Sequence, residues 1–134
     1  MQSRAQVALE FLLVFGALIA TMLALAPVFS AVLSRALQAI DDARAKIFAS
    51  ELENSLQKLS VFSDDSKLTI IAEPLSEWKL SFKDNKARIF TNKKEFLITS
   101  QIDFAYAIDF SISKRACVVL KRLANKVYIS LKDC

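Results

Sequence analysis

The chain of 134 residues contains no histidine and only one glycine, with two cysteines and two prolines. Without histidine, a Ser-His-Asp triad and histidine metal sites are excluded. A single glycine cannot form the glycine-rich loops that surround phosphate groups. Two cysteines do not supply the ligand set of a structural zinc site. We therefore expect no enzymatic activity, no cofactor and no metal site.

The chain also lacks any strong excess of one charge. It has 18 basic and 14 acidic side chains, which give a formal net charge of +4, and the basic residues are spread over many segments. Runs of lysine or arginine with interleaved aromatic residues, which are typical of nucleic-acid-binding proteins, are missing from the sequence. The charged residues therefore predict a solvated surface and no nucleic-acid partner.

The most informative segment that is present is an uncharged run from Phe11 to Ser34, which ends at Arg35. A helix rises about 1.5 Å per residue, so this run is long enough to cross a hydrocarbon core roughly 30 Å thick. A secretory signal has a shorter apolar stretch and a small-residue cleavage site after it. Here Pro27 follows the only well-placed small-x-small sequence, Ala24-Leu25-Ala26. The run therefore predicts a segment that meets the membrane, either as an uncleaved span or as part of an unusual leader.

The residues before the run form a recognisable pattern. Arg4 and Ala5 precede Gln6, a small residue, Ala8, follows two places later, and Glu10 stands just before the apolar helix. This pattern resembles the class III leader of archaeal type IV pilin-like proteins. The resemblance covers about a tenth of the chain, and Ala5 and Ala8 stand where glycine and serine are common in that family.

The resemblance implies a function in assembly. A prepilin peptidase would recognise residues Arg4 to Gln6 and cut between Ala5 and Gln6, and the mature subunit would keep the apolar helix. Glu10 would pair with the amino terminus of a neighbouring subunit. The expected function is that of a structural pilin of a type IV pilus-like surface filament, with other pilin subunits as partners. The alternatives are a minor or accessory pilin-like protein, or a plain bitopic membrane protein whose head binds another protein.

Beyond Arg35 the sequence predicts that the helix continues to about Ser60. Apolar residues recur at helical spacing over a polar face, and neither glycine nor proline interrupts them. The apolar stripe consists of Leu37, Ile40, Ile47, Phe48, Leu52, Leu56 and Leu59. The predicted organisation is a leader at 1–5, a transmembrane or filament-core helix at 6–34, an amphipathic continuation at 35–60 and a β-rich head at 61–134.

After Ser60 the period changes from 3.6 to 2, which is typical of strands. The sequence predicts turns at 63–66, 84–85 and 92–95, with strands at 68–72, 78–83, 87–91 and 96–99. The longest alternation extends from Ile102 to Ile112 and predicts one strand. The expected fold class is α+β, with the amphipathic helix packed on a small antiparallel sheet, as in type IV pilins.

Cys117 and Cys134 lie at the two ends of the last predicted hairpin. With a two-residue turn at Asn125-Lys126, Ala124 faces Val127 and Cys117 stands opposite Cys134. This register predicts a disulfide, which the chain-entropy model values at about 3 kcal/mol. A disulfide indicates an oxidising exterior or the cytoplasm of a hyperthermophile.

Two signals disagree about the orientation of the head. The positive-inside rule compares Arg4 with Arg35, Arg44 and Lys46 and favours a cytoplasmic head. The resemblance implies a single-pass protein of the cell membrane that later joins an extracellular filament, with the head outside. The predicted disulfide also favours the exterior.

Overall fold

A computed structural model describes residues 2–134, with side chains from Arg4 onward. The chain forms two compact units, Met1–Gln38 and Ala39–Cys134. Helix α1, Gln2–Val61, begins in the first unit and ends in the second. The second unit combines the last part of α1 with two small antiparallel sheets. This architecture confirms the predicted α+β class, although two sheets replace the expected single one.

The strands of the second unit follow α1 in two groups. Their bounds are β1 Lys67–Ala72, β2 Trp78–Lys83, β3 Lys86–Phe90, β4 Glu95–Thr99, β5 Ile108–Ile112, β6 Ala116–Leu123 and β7 Lys126–Asp133. One sheet has the order β1-β6-β7 and the other has the order β4-β3-β2-β5. The predicted turn at Asp84-Asn85 is confirmed, since Lys83 pairs with Lys86 across it.

The buried stripe of α1 differs from the stripe that the sequence predicts. Phe48, Leu52, Leu56 and Leu59 are buried, as expected. Three predicted members, Leu37, Ile40 and Ile47, are instead exposed. The residues that complete the buried face are Asp41, Ala45 and Ala49. The buried face of α1 therefore includes small and polar residues as well as large apolar ones.

The core is made of alternate residues of the strands. Trp78, Leu80 and Phe82 point inward from β2 and are fully buried. The Trp78 ring packs against Phe48 of α1 with a centroid distance of 5.9 Å. The Phe82 ring makes an edge contact with Phe104 at 5.2 Å. Aromatic pairs of this kind add stability beyond the apolar area they bury.

The predicted strand from Ile102 to Ile112 is wrong in its first half, because β5 begins only at Ile108. The preceding residues connect the two sheets. Their backbone hydrogen bonds run from Phe104 N to Asp84 O, from Ala105 N to Val127 O and from Val127 N to Asp103 O. Ile102 and Phe104 are still buried, as the alternation predicts. The alternation ends at Tyr106, which the pattern places on the apolar face but which is exposed.

The last hairpin has a disulfide, but its predicted register is wrong. Leu123 pairs with Lys126, so the turn residues are Ala124 and Asn125. Both have positive φ, 49° and 59° respectively, as a type I′ turn requires. Cys117 consequently faces Lys132, and the Cys117–Cys134 bond joins Cα atoms 5.3 Å apart. The disulfide is confirmed because Cys134, just past the end of β7, still lies within bonding range.

The carboxyl end of α1 is held by an arginine from β6. The Arg122 guanidinium donates hydrogen bonds to the carbonyls of Leu59 at 2.8 Å, Ser60 at 2.9 Å and Phe62 at 2.5 Å. Carbonyls in the last turn of a helix have no partner within the helix, and a cation near them is also favoured by the helix dipole. Arg122 therefore joins the end of α1 to the three-stranded sheet.

Candidate assembly surface

The amino-terminal part of α1 carries an apolar surface that the described residues leave uncovered. All residues from 4 to 37 are exposed, and the exposed fractions reach 71% for Phe11, 73% for Leu12 and 74% for Phe29. This helix is long and apolar enough to cross a membrane, by length and composition. We call residues 11–34 the apolar segment.

Two residues of the apolar segment, Gly16 and Pro27, are unusual inside a helix. Pro27 lies inside α1 and has no N–H, so the carbonyl of Leu23 lacks its usual helical donor. A Cβ added at Gly16 would meet no atom within 4 Å. Among the described residues nothing packs against Gly16, and its lack of a side chain leaves room for an external neighbour.

The residues of the expected processing site lie in the first turns of α1. Arg4, Ala5 and Gln6 are helical and exposed. The first residue of the expected leader, Met1, lies outside the described residues, as do the side chains of Gln2 and Ser3. The three residues of the expected processing site thus lie in the first turns of the helix.

Glu10 is an exposed carboxylate at the edge of the apolar segment. Among the side chains from Arg4 onward, Glu10 has no hydrogen-bond or ion-pair partner. The next two aromatic residues, Phe11 and Phe15, stack along the helix with centroids 6.2 Å apart. A carboxylate beside such a surface is costly in an apolar environment unless it reaches water or a cationic partner. Glu10 is therefore the residue of this surface best suited to ionic pairing.

A second carboxylate, Asp41, was not singled out from the sequence, and it lies in the core of the second unit with 5% of its surface exposed. It accepts hydrogen bonds from Leu75 N at 2.8 Å, from Trp78 Nε1 at 3.0 Å and from the Ser76 hydroxyl. Burial raises the pKa of Asp41, but these donors outweigh it and hold the pKa below its usual value. Asp41 thus fastens α1 to the segment before β2 as an ionised group.

Asp42 makes further polar contacts between α1 and the turn after β3. Asp42 accepts a hydrogen bond from the Thr91 hydroxyl at 2.9 Å and forms an ion pair with Lys94 at 3.4 Å. In the part of the chain that the structure describes, no group of three or more acidic, histidine or cysteine side chains could hold a metal ion. Both cysteines belong to the disulfide.

Comparisons of the chain with models of protein families, with curated proteins and with solved structures give no match. Function must therefore be inferred from the chemistry of these residues. The exposed apolar segment, with Glu10 at its edge, is the surface that most needs a partner.

Proposed function

We propose that this protein is a structural subunit of an archaeal type IV pilus-like surface filament, held in the membrane by α1 before assembly. The observation that carries the proposal is the contrast between the two units. Residues 39–134 contain a buried core of their own, whereas the apolar segment has no cover among the described residues. Such a chain needs an apolar partner for one part only.

The hydrophobic effect makes this partner necessary. Burying one large apolar side chain away from water contributes about 1.5–3 kcal/mol of favourable free energy. The apolar segment exposes many such side chains. Lipid satisfies this requirement while the subunit is in the membrane. Once it leaves the bilayer, the same segments of other subunits are the available apolar surface, and bundling them produces a filament.

The sequence pattern before the apolar segment adds support. Arg4, Ala5, Gln6 and Glu10 have the types and spacing of a class III leader. Cleavage between Ala5 and Gln6 by a prepilin peptidase would create a new amino group four residues before Glu10. In a helical bundle, this amine and the unpaired carboxylate of a neighbouring subunit compensate each other's charge.

The first test is the mass of the amino-terminal peptide of the protein purified from its native membranes. We expect a mature start at Gln6. A peptide that retains residues 1–5, from cells with an active prepilin peptidase, would contradict the proposal and favour a simple membrane anchor.

The second test replaces the assembly residue by Glu10→Gln. Breaking a buried ion pair by removing one partner costs roughly 3–5 kcal/mol, so we expect the variant to insert into the membrane but to be absent from sheared filaments. Glu53→Gln, on an exposed position of the same helix, is the matched control and should assemble normally. Quantitative immunoblotting of filament and membrane fractions measures both. Normal filaments from Glu10→Gln would remove the pairing role of Glu10.

A plain bitopic protein is the second candidate, because one observation favours it. The basic residues Arg35, Arg44 and Lys46 after the apolar segment outnumber Arg4 before it, which favours a cytoplasmic head. The Cys117–Cys134 disulfide fits an oxidising exterior or the cytoplasm of a hyperthermophile. Protease added to intact cells distinguishes a cytoplasmic head, which would contradict the filament proposal, from an external head, since only an external head is digested. A minor or accessory subunit would instead be processed at Gln6 yet scarce along the fibre.

A further inference from the structure

The outer face of the three-stranded sheet collects lysines that are far apart in the sequence. Alternate residues of a strand share one face, and the register places Lys67 of β1 beside Lys121 of β6, which faces Tyr128 of β7. Lys126 and Lys132 lie on the same face of β7, two residues before and four residues after Tyr128. All four lysines are exposed. We call this surface the lysine face.

Most of the positive charge of the lysine face is uncompensated. The Lys121 ammonium forms an ion pair with Asp65 at 2.7 Å. The hydrogen bond and charge of Lys121 hold the pKa of Asp65 below its usual value. Among the described side chains, Lys67, Lys126 and Lys132 make no ion pair. Three free ammonium groups therefore remain to attract an anion.

Two tyrosines lie among these lysines. The Tyr106 and Tyr128 rings meet edge to face with centroids 5.9 Å apart, and 46% and 38% of their surfaces are exposed. The Tyr106 hydroxyl donates a hydrogen bond to the Ile129 carbonyl at 3.1 Å, which fixes its ring. Both tyrosines line a depression over the buried side chain of Val119, together with Lys67, Lys121, Lys132 and the Lys121-paired carboxylate of Asp65. Lys126 lies outside the depression, farther along β7. The depression gives an extended partner both apolar and cationic contacts.

We propose that the lysine face binds single-stranded nucleic acid. A cationic groove that follows the phosphates, together with aromatic rings on which bases stack, is the chemistry by which proteins hold single strands without sequence preference. Lys126 and Lys132 are six residues apart, or roughly 20 Å along the strand, so one polymer contacts both. A depression fits a narrow polymer better than the flat surface of a bilayer.

The absence of basic runs in the sequence led to the expectation of no nucleic-acid partner. That expectation considered lysines that are neighbours along the chain, whereas the lysine face draws them from β1, β6 and β7. The proposal does not depend on filament assembly, because every residue of the face belongs to the second unit. It applies equally to a pilin and to a plain membrane-anchored head.

The test uses the full-length chain in discs of a zwitterionic lipid, with a fluorescent oligo-dT of about 15 nucleotides, matched to the site sizes of single-strand binders. Fluorescence anisotropy measures the affinity as a function of salt. Three phosphate contacts predict a slope of log affinity against log salt of about −2. The variant Lys67→Gln/Lys126→Gln/Lys132→Gln should lose most of this slope and bind at least about tenfold more weakly at low salt.

Two further variants give the test its specificity. Lys79→Gln/Lys83→Gln/Lys86→Gln removes the same charge from exposed positions of the four-stranded sheet and should change the affinity by less than about twofold. Tyr128→Ala should weaken oligo-dT binding by about fivefold or more through lost stacking, and should leave binding of base-free dextran sulfate unchanged.

Three results would overturn the proposal. Absence of oligo-dT binding at low salt would do so directly. Equal losses in the two triple variants would show that net charge alone attracts the polymer. Dextran sulfate bound as tightly as oligo-dT, with no effect of Tyr128→Ala on oligo-dT, would identify an acidic polysaccharide as the partner.

Discussion

At the scale of the residue, Asp41 shows how a charge stabilises the core of the second unit. Its buried carboxylate meets donors from Leu75, Ser76 and Trp78. A buried charge is tolerated when hydrogen bonds replace the water it has lost. Removing the charge would leave these donors with a weaker acceptor, so Asp41 is a position where a small chemical change has a large expected effect.

We predict that Asp41→Asn destabilises the second unit by about 2 kcal/mol at neutral pH, because hydrogen bonds to a charged group are worth roughly 1.5–3 kcal/mol. Trp78 is the only tryptophan, and its indole bonds to Asp41, so its fluorescence reports unfolding of the full chain in detergent. Asp109→Asn changes an exposed carboxylate and should stay within about 0.5 kcal/mol of the wild type. Equal stability of wild type and Asp41→Asn would contradict this role.

The same residue predicts a dependence of stability on pH. The folded pKa of Asp41 lies below its usual value, so its contribution is complete above the unfolded pKa of about 4. The contribution is lost as pH falls through the lower folded pKa, where the carboxylate becomes protonated. The stability difference between wild type and Asp41→Asn should therefore shrink from neutral pH towards about pH 3. Urea titrations at several pH values measure it, and a difference that grows on acidification would refute the assignment.

At the scale of the element, the β6–β7 hairpin has two independent constraints. Its backbone register is set by the Ala124-Asn125 turn, and the disulfide ties Cys117 to the residue after β7. The strands also pair along their full lengths, from Ala116 to Leu123 and from Lys126 to Asp133. The hairpin should therefore keep its register without the disulfide, although its carboxyl end would be held less firmly.

We predict that reducing the disulfide, or replacing both cysteines by serine, lowers the free energy of unfolding by about 3 kcal/mol, as loop closure over this separation implies. Hydrogen exchange should accelerate at the end of β7 and remain slow at Val127, whose N–H bonds to Asp103. The serine variant is its own control, because reductant should not affect it. Unchanged stability of the wild type under reductant would contradict the prediction.

The elements also show how far the sequence could predict the fold. Periodicity identified α1 and most strands, because burial imposes a period of 3.6 or 2 on apolar residues. It assigned Ile47 to the buried stripe, since pattern alone cannot show that Ala45 and Asp41 face the sheets instead. It placed the last turn one residue late, because Asn125 is acceptable at either position of a two-residue turn.

Functional residues that are contiguous in the sequence could be predicted, whereas those that tertiary contacts bring together could not. Residues Arg4 to Glu10 are contiguous, so their pattern was visible in the sequence. The donors around Asp41 lie 34 to 37 positions away from it along the chain. The lysine face depends on the register of three strands. Sites built by tertiary contacts of this kind have no local signal.

At the scale of the whole molecule, the two units have opposite requirements. The second unit buries its own apolar side chains, including Leu52, Trp78 and Leu120. The first exposes nearly all of its apolar side chains. Exposed apolar surface of this extent marks contact with lipid or protein. We therefore expect the full chain to associate through the first unit, whereas the core of the second unit stabilises the fold.

We predict that a fragment of residues 39–134 is a folded monomer without detergent, whereas the full chain associates when detergent is removed. Light scattering after size-exclusion chromatography measures the mass, and Trp78 fluorescence checks the core. A fragment of residues 46–134 is the control, because it lacks Asp41 and should be clearly less stable. Aggregation of the 39–134 fragment would show that its core needs the first unit. A monomeric full chain in water would mean that the apolar segment needs no partner, and would remove the basis of the filament proposal.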